Sequence, residues 1–431
     1  MYPHNPIDRR SFLKSSALAG SAVLAARYLP FEGTVQANPA PLTTRSQVAV
    51  TYGSDHVDNI FRVMQTLKKQ IAAAIGNRPV LIKTNHVSGG GTPLADTPPE
   101  CVEGILEFLK SIGKTDVTVA EGSIGNPPLL AMQKMGYPNL QKKYSVRFKS
   151  LAEEGYTWMK VWNWDKSQTD LVQDVRVSKM LLNKNYFVIS ACRPKAHDRV
   201  VATLSLKNII MGSIIVDGST FNSGGGSSDK GNMHAAKVPS SQGGTGINRP
   251  YPDGIAAHTT QNNHQDLNDT ICMLSNLLAP NMSVIDAYQG MQKNGPISGI
   301  PADPQQTAIA SLDFLSADRI ATVLMDVHNS VVNISNTLSA DGDVADNKYS
   351  PYTYTTYNWP KYPACLNYCA QSGLGQYDTS FIDLVGDVTS LANLTPLVKT
   401  FILHDNTVLG YSLWMRPSPR VAPIGIDRRL G

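Results

Sequence analysis

Little in this sequence names a chemistry at sight. Its five cysteines, Cys101, Cys192, Cys272, Cys365 and Cys369, form no Cys-x-x-Cys pair. That excludes a ferredoxin-type iron–sulfur run and a zinc ribbon and points to buried or free thiols, with Cys365 and Cys369 spaced to lie one helical turn apart. Its glycines show neither Walker spacing nor a dinucleotide fingerprint, so no nucleotide is read from them. No apolar run reaches the roughly 20 residues that would span a bilayer. Charge of one sign is also lacking: 38 basic against 34 acidic residues leave a net charge of +4.

What is present begins with an export pattern. Asp8-Arg9-Arg10-Ser11-Phe12-Leu13-Lys14 sets a twin arginine before an apolar run from Ala17 to Ala26, and Val35-Gln36-Ala37 offers small residues for cleavage. This resembles a twin-arginine translocation signal over residues 1–37. It implies the twin-arginine translocase as a partner and a periplasmic or other extracytoplasmic destination. Removing residues 1–37 takes away four positive and two negative side chains, so the net charge falls from +4 to +2. A near-neutral mature chain gives no electrostatic case for nucleic acid or for an anionic membrane surface.

The chain of 431 residues, 42% hydrophobic and 7% aromatic, is long enough for a sizeable globular core. Residues 45–330 read as an α/β unit and 331–431 as an extension packed on it. Gln47–Thr51 reads as a strand, His56–Ile75 as an amphipathic helix and Pro79–Lys83 as a buried strand emptying into the glycine-rich loop Thr84–Pro93. Pro98 and Pro99 open a helix that Gly113 stops, and Asp116–Ala120 is a strand ending in Glu121-Gly122-Ser123. Strand, helix and strand in that order predict a parallel βαβ unit. Tyr144–Ser178 reads as a mixed β insertion and Tyr186–Ala191 as a further buried strand. Later come a helix from about Gln265, strands at Met282–Ala287 and Thr307–Leu312, and a helix over Ser316–Val327. The expected fold is thus α/β, with a mostly parallel sheet and helices on both faces.

Two segments stand apart in composition. Residues 222–248 are dominated by Gly, Ser and small polar residues and cannot order themselves alone, which suits either a surface loop or a lid. Tyr349–Tyr368 holds six tyrosines with Trp359 and three prolines, which suits a proline-stiffened cover on the core or a stacking surface.

Open parallel sheets bind ligands beyond the carboxyl ends of their strands. Those ends here carry Lys83, Asn85 and His86; Glu121 and Ser123; Lys195 and His197, expected in a loop; and Asp286. Lys207 and Asn208 follow shortly after. Lys195, His197, Lys207 and Glu121 are the side chains suited to catalysis, because a desolvated lysine and a histidine transfer protons near neutral pH. Lys83, Asn85, Asn208 and Ser123 suit substrate binding. His86, His197 and Asp286 would suit a divalent metal such as zinc or nickel. Alternatively, Lys195, Lys207 and the Gly89–Gly91 loop would hold a small anion, a carboxylate or phosphate.

The set of motifs resembles the family called domain of unknown function 362 (DUF362). It includes Lys83-Thr84-Asn85, Thr97-Pro98-Pro99, Glu121-Gly122-Ser123, Lys195-Ala196-His197 and Leu206-Lys207-Asn208 with Gly212. Asp286-Ala287, Gly290-Met291, Gly295-Pro296 and Gly299 complete it. The likeness covers most of Val80–His328. Two departures stand out. The cysteine cluster of many members is missing, so no iron–sulfur cluster is implied, and an Asp-Pro-Val-Ala-x-Asp segment survives only as Asp313 to Asp318. The order of elements is more distantly similar to the nickel-pincer lactate racemase family, in which a lysine tethers the cofactor and histidines serve the metal and the proton transfers. That similarity is one of architecture, with no residue-by-residue correspondence. The expectation is an exported protein with a Lys/His/carboxylate site at the strand ends. It would be an enzyme on a small anionic substrate, with a divalent metal as the candidate cofactor, or else a non-catalytic extracytoplasmic binding protein.

Overall fold

The computed structural model describes residues 43–162, 172–197, 200–216, 229–234, 259–293, 295–327, 364–399 and 401. The expected export signal, most of 222–248, His328 and the tyrosine-rich segment up to residue 363 lie outside these residues.

One sheet organises the fold. Its strands in chain order are β1 (Ser46–Tyr52), β2 (Val80–Lys83), β3 (Val117–Glu121) and β4 (Val146–Ser150), then β7 (Phe187–Cys192), β10 (Met282–Ala287), β13 (Thr307–Ser311) and β14 (Ile382–Gly386). They lie in the order β14-β1-β13-β10-β7-β2-β3-β4. Every adjacent pair is parallel except the two made by β13, which runs antiparallel to both β1 and β10. The central strands are continuous apolar runs because helices cover both of their faces.

On one face lie α1 (His56–Thr66), α2 (Lys68–Ile75) and α3 (Pro99–Ser111), whose side chains Ile60, Val63, Ile71, Ile105 and Phe108 share a core with Ile82, Val119 and Ile189. The single helix expected over His56–Ile75 is divided at Leu67, whose N–H turns back to the Met64 carbonyl at 3.0 Å while its side chain is buried. As expected, α3 stops at Gly113, in the left-handed region with φ 71°, where the Lys114 N–H returns to the Leu109 carbonyl at 2.8 Å. Between β3 and β4 runs α4 (Pro128–Lys134), which periodicity did not single out. The strand Val146–Ser150 therefore extends the main sheet beside β3 and does not belong to an insertion. The rest of that region is a separate antiparallel pair, β5 (Tyr156–Trp162) with β6 (Val172–Ser178), followed by the short α5 (Lys179–Leu182).

The other face is covered by α6 (Ser205–Ser213), α8 (Thr259–Leu278), α9 (Phe314–Leu324) and α10 (Ala364–Gln371), with α7 (Asp229–His234) beside β6 and α11 (Leu391–Leu394) near the end. Every residue of α6 is buried. Its flanking residue Leu204 offers no capping side chain, and the cap comes from another helix instead: the buried Asp318 carboxylate on α9 accepts from the Ser205 and Leu206 N–H groups, each at 2.9 Å. Burial pushes the Asp318 carboxyl up to about 7. The other acid of the degraded motif, Asp313, caps its own helix by accepting from the Leu315 N–H at 3.0 Å. Both acids of that segment thus have structural posts.

A small four-stranded second sheet sits beyond the carboxyl ends of the large one. It consists of β8 (Lys195–His197), β9 (Val201–Thr203), β11 (Met291–Gln292) and β12 (Ile300–Pro301). Lys195 and His197 therefore occupy a buried strand where a loop was expected. The Met291 N–H donates to the Pro194 carbonyl at 3.0 Å, drawing the chain after β7 against the chain after β10. Gly295 makes this approach possible, since a Cβ there would stand 1.8 Å from the Ala196 carbonyl oxygen.

Candidate functional site

Lys83 ends β2, and its register partner on β3 is Ala120, one residue before Glu121. The Lys83 ammonium is buried and meets both Glu121 carboxylate oxygens at 3.0 Å, Asn208 Oδ1 at 2.8 Å and the Thr84 carbonyl at 2.5 Å. Asn208 spends its amide nitrogen on the Lys83 carbonyl at 3.2 Å and Ser190 Oγ at 3.0 Å. One turn further along α6, Gly212 leaves room for the lysine: a Cβ there would fall 2.1 Å from Lys83 Cε. The Leu206-Lys207-Asn208 element and Gly212 are thus explained by contact, Asn208 as a partner of the ammonium and Gly212 as its clearance. Burial pulls the Lys83 ammonium below its ordinary range, and the Glu121 carboxylate opposes that shift.

Lys195 reaches across from β8 to Asn85 Oδ1 at 3.3 Å and the Ala95 carbonyl at 2.5 Å. Desolvation lowers it to about 8, although Asp96 works in the other direction. Lys230 arrives from α7 and donates to the Gly122 carbonyl; burial lowers it to about 7 against the pull of Glu121. Its helix is held by the Arg176–Asp229 ion pair at 2.9 Å.

The glycine-rich loop is organised from within. Asp96 accepts from the Ser88 N–H at 2.9 Å, the Ser88 hydroxyl at 2.6 Å and the Gly90 N–H at 2.8 Å, while the Gly89 and Gly91 N–H groups go to the His86 and Ser88 carbonyls. The Gly89–Gly91 donors expected to cradle an external anion are therefore spent within the protein, Gly90 on the Asp96 carboxylate and the other two on backbone carbonyls. Thr97 ties this loop to β7, accepting from the Asn85 N–H and donating to the Ala191 carbonyl, each at 2.9 Å.

His86 sits inside this frame with its ring edge-on to Tyr137, centroids 4.8 Å apart. It is fully buried, and neither ring nitrogen has a hydrogen-bond partner. Desolvation holds it below the usual histidine range, with the Glu121 and Asp96 charges opposing and those of Lys83 and Lys195 reinforcing. Buried polar atoms without hydrogen-bond partners also include His56 Nε2, Arg193 Nε and Asp286 Oδ2. A buried polar atom left unpaired costs about 1–3 kcal/mol.

The sheet does not bring all the expected residues together. Lys83, Glu121 and Asn208 form one network, and Lys195 and Asn85 adjoin it. Ser123 turns its hydroxyl to the Asn126 carbonyl at 2.8 Å. Lys207 is buried in α6, and its charge opposes the burial that pushes the Cys365 thiol on α10 up to about 12. Asp286 belongs with His56, whose Nε2 lies 2.8 Å from Asp286 Oδ1, at ion-pair distance but outside hydrogen-bond alignment, and whose ring packs against Tyr288. His86, His197 and Asp286 therefore do not form a metal-binding trio, and among the described residues no group of three or more His, Cys, Asp or Glu could hold a metal ion. With Glu121 bound to Lys83 and Asp96 to loop amides, the donors here do not fit a metal centre. Sequence reasoning missed Asp96, Arg193, His56 and Lys230. The first could have been inferred from the acceptor that a loop so rich in glycine amides requires, whereas Lys230 was hidden by the polar composition around it.

These features define an α/β protein with a three-layer core and a buried lysine–carboxylate network at the carboxyl edge of its sheet. Residues 80–323 match the family described as a domain of unknown function (DUF362), and the chain belongs to that family. No curated protein matches it significantly. Among solved structures it is similar to the lactate racemase apoprotein from Thermoanaerobacterium thermosaccharolyticum, at 10% identity over 83% of this chain and 87% of that one, with a TM-score of 0.36. A Thermotoga maritima protein solved by a structural genomics consortium is similar at 11% identity over 85% of this chain and 98% of that one, TM-score 0.36. Among the described residues, no helix is long and apolar enough to cross a membrane.

Proposed function

We propose that the carboxyl edge of the sheet binds a small carboxylate-bearing ligand and that the protein is an enzyme transferring a proton to or from it. The observation that carries this reading is His86, a fully buried imidazole with both nitrogens unpartnered, flanked by lysines and carboxylates. A neutral imidazole offers one donor and one acceptor, the pair that proton transfer requires. Lys195 has three N–H donors and uses two of them on Asn85 and Ala95, leaving one for a ligand oxygen. Lys83 and Glu121 satisfy each other, and their role in this reading is to fix the edge and its charge.

Nuclear magnetic resonance of histidine-labelled protein titrated with acetate, glycolate and succinate tests the proposal. At least one carboxylate should shift the His86 ring signals saturably, and that response should vanish in His86→Phe. Ring signals untouched by all three, with no change in thermal stability, would refute it. Stoichiometric metal in protein from the native host, lost on His86→Ala, would replace proton transfer with metal chemistry at the same edge.

The internal satisfaction of Lys83, Glu121 and Asn208 favours a second reading, a non-catalytic extracytoplasmic binding protein. Ligand binding without any exchange of ligand protons with solvent would select it. The twin-arginine pattern supports export in both readings, and loss of export on changing Arg9 and Arg10 to lysine, followed by cell fractionation, checks that point.

A further inference from the structure

Two buried charges of opposite sign stand at the ends of adjacent strands without pairing to each other. Ile285 on β10 is in register with Cys192 on β7, so Asp286, still within β10, and Arg193, the residue just past the end of β7, follow that pair on neighbouring strands. Adjacent strands lie about 4.8 Å apart. The Asp286 side chain is 1% exposed and that of Arg193 is 8% exposed. Asp286 Oδ1 faces His56 Nε2 at 2.8 Å and accepts from the Tyr288 N–H at 3.2 Å, while Oδ2 has no partner. Arg193 Nη1 makes one long contact to the Pro93 carbonyl, 3.4 Å, while Nε has none. Burial holds the Cys101 thiol in the first turn of α3 well above its ordinary range, with the Asp286 charge adding to that shift and the Arg193 charge opposing it. The proposed function uses neither residue.

We propose that Arg193 and Asp286 form a recognition subsite for a small zwitterion, a ligand whose carboxylate meets Arg193 Nε and whose ammonium meets Asp286 Oδ2. This rests on the reading of the carboxyl edge as a ligand site and names the class of ligand. The open donor on arginine calls for an acceptor, and the open acceptor on aspartate calls for a donor. Because the two residues sit on adjacent strands, about 4.8 Å apart at the backbone, a compact ligand with its carboxylate and ammonium on one carbon suits the pair better than one with a long chain between the two groups. The balance of one positive and one negative side chain also suits a ligand of zero net charge better than a dianion. A lone carboxylate would fill half of the subsite and leave Asp286 Oδ2 unmet.

The test is calorimetric titration of the full chain with four probes: glycine, L-alanine, glycolate and methylammonium. Glycine or L-alanine should bind saturably and at least tenfold more tightly than glycolate or methylammonium. Asp286→Asn should reduce zwitterion affinity to the glycolate level, and Arg193→Gln should weaken glycine and glycolate alike. Equal binding of glycine and glycolate by the unmodified protein, or no saturable binding of any probe, overturns the subsite whether or not the variants fold. The histidine-labelled spectra separate this outcome from failure of the wider reading. Carboxylates that move the His86 signals without preference for an ammonium sink the zwitterion and leave the site, whereas zwitterion binding that leaves His86 unmoved keeps the subsite and removes His86 from the chemistry.

Discussion

Gly212 and Lys83 occupy one space: a methyl group on the glycine would stand 2.1 Å from Lys83 Cε and 2.2 Å from its ammonium nitrogen. The glycine of α6 thereby sets where the ammonium of β2 rests. Gly212→Ala should cost about 1–3 kcal/mol by overpacking, despite alanine's better helix propensity. Urea unfolding at constant pH measures it, and an unchanged midpoint would show that the two residues do not meet.

The Lys83–Glu121 pair is almost wholly withdrawn from water, with side-chain exposures of 2% and 3%. Glu121→Gln leaves the ammonium buried without a counter-charge, and a loss of about 3–5 kcal/mol is expected. Replacing both residues together, Lys83→Met with Glu121→Leu, should recover most of that loss. A double variant as unstable as the single one would point to a different origin for the effect.

Asp96 should prove as important to the glycine-rich loop as any glycine in it. Asp96→Ala strands the Ser88 and Gly90 N–H groups, and each charge-assisted bond lost is worth about 1.5–3 kcal/mol. Hydrogen exchange at these two amides should accelerate at least tenfold, while the α3 amides remain protected. Unchanged exchange at Ser88 would contradict the arrangement.

Asp318 gives the fold a pH signature. Its folded-state carboxyl is raised to about 7 from an ordinary 3.8, so between those values the folded protein holds a proton that the unfolded chain has released. Stability contributed by this group therefore falls as pH rises from about 4 to 7, by at most about 1.4 kcal/mol per pH unit. Asp318→Asn should flatten that slope in melting temperatures taken across the interval. A slope identical in both proteins would rule the residue out.

Lys195 works at the other end of the scale. Lowered to about 8 from 10.5, it is already neutral in the folded protein where the unfolded chain still holds its proton. Its contribution to stability should thus rise as pH climbs from about 8 to 10.5. The affinity of any carboxylate that uses its ammonium should fall over the first part of the same range. Lys195→Met should abolish both dependences and cost about 1–3 kcal/mol for each of the two acceptors left behind on Asn85 and Ala95.

The layered α/β plan could be read from the sequence because it rests on local pattern: apolar runs at β2, β3, β7 and β10, the Pro98-Pro99 start and the Gly113 stop of α3. Strand ends then told which residues approach the edge, since Lys83 and Glu121 follow directly from register. What could not be read depends on contacts between distant segments. Lys195 and His197 become a strand only because Met291 and Gly295 pack against them. Asp318 caps a helix more than a hundred residues earlier, and Lys230 enters on a short helix within a stretch whose composition suggests no order. The partnering of Asp286 with His56 in place of His86 is likewise a matter of which face of β10 it leaves, decided by packing against α1.

The position of β1 bears on how the chain is made. Ser46 pairs with Ile382 and Ala49 with Ala310, so β1 finds its two neighbours only in strands made much later in synthesis. Such distant pairing slows folding, because a long loop must close before any contact rewards it. A chain stopped before Ile382 would contain every residue of the family match, yet its first strand would keep an open hydrogen-bonding edge, the kind that recruits other chains. Among the described residues β14 thus closes the edge of β1, and only a chain translated through it can hold that strand between two neighbours.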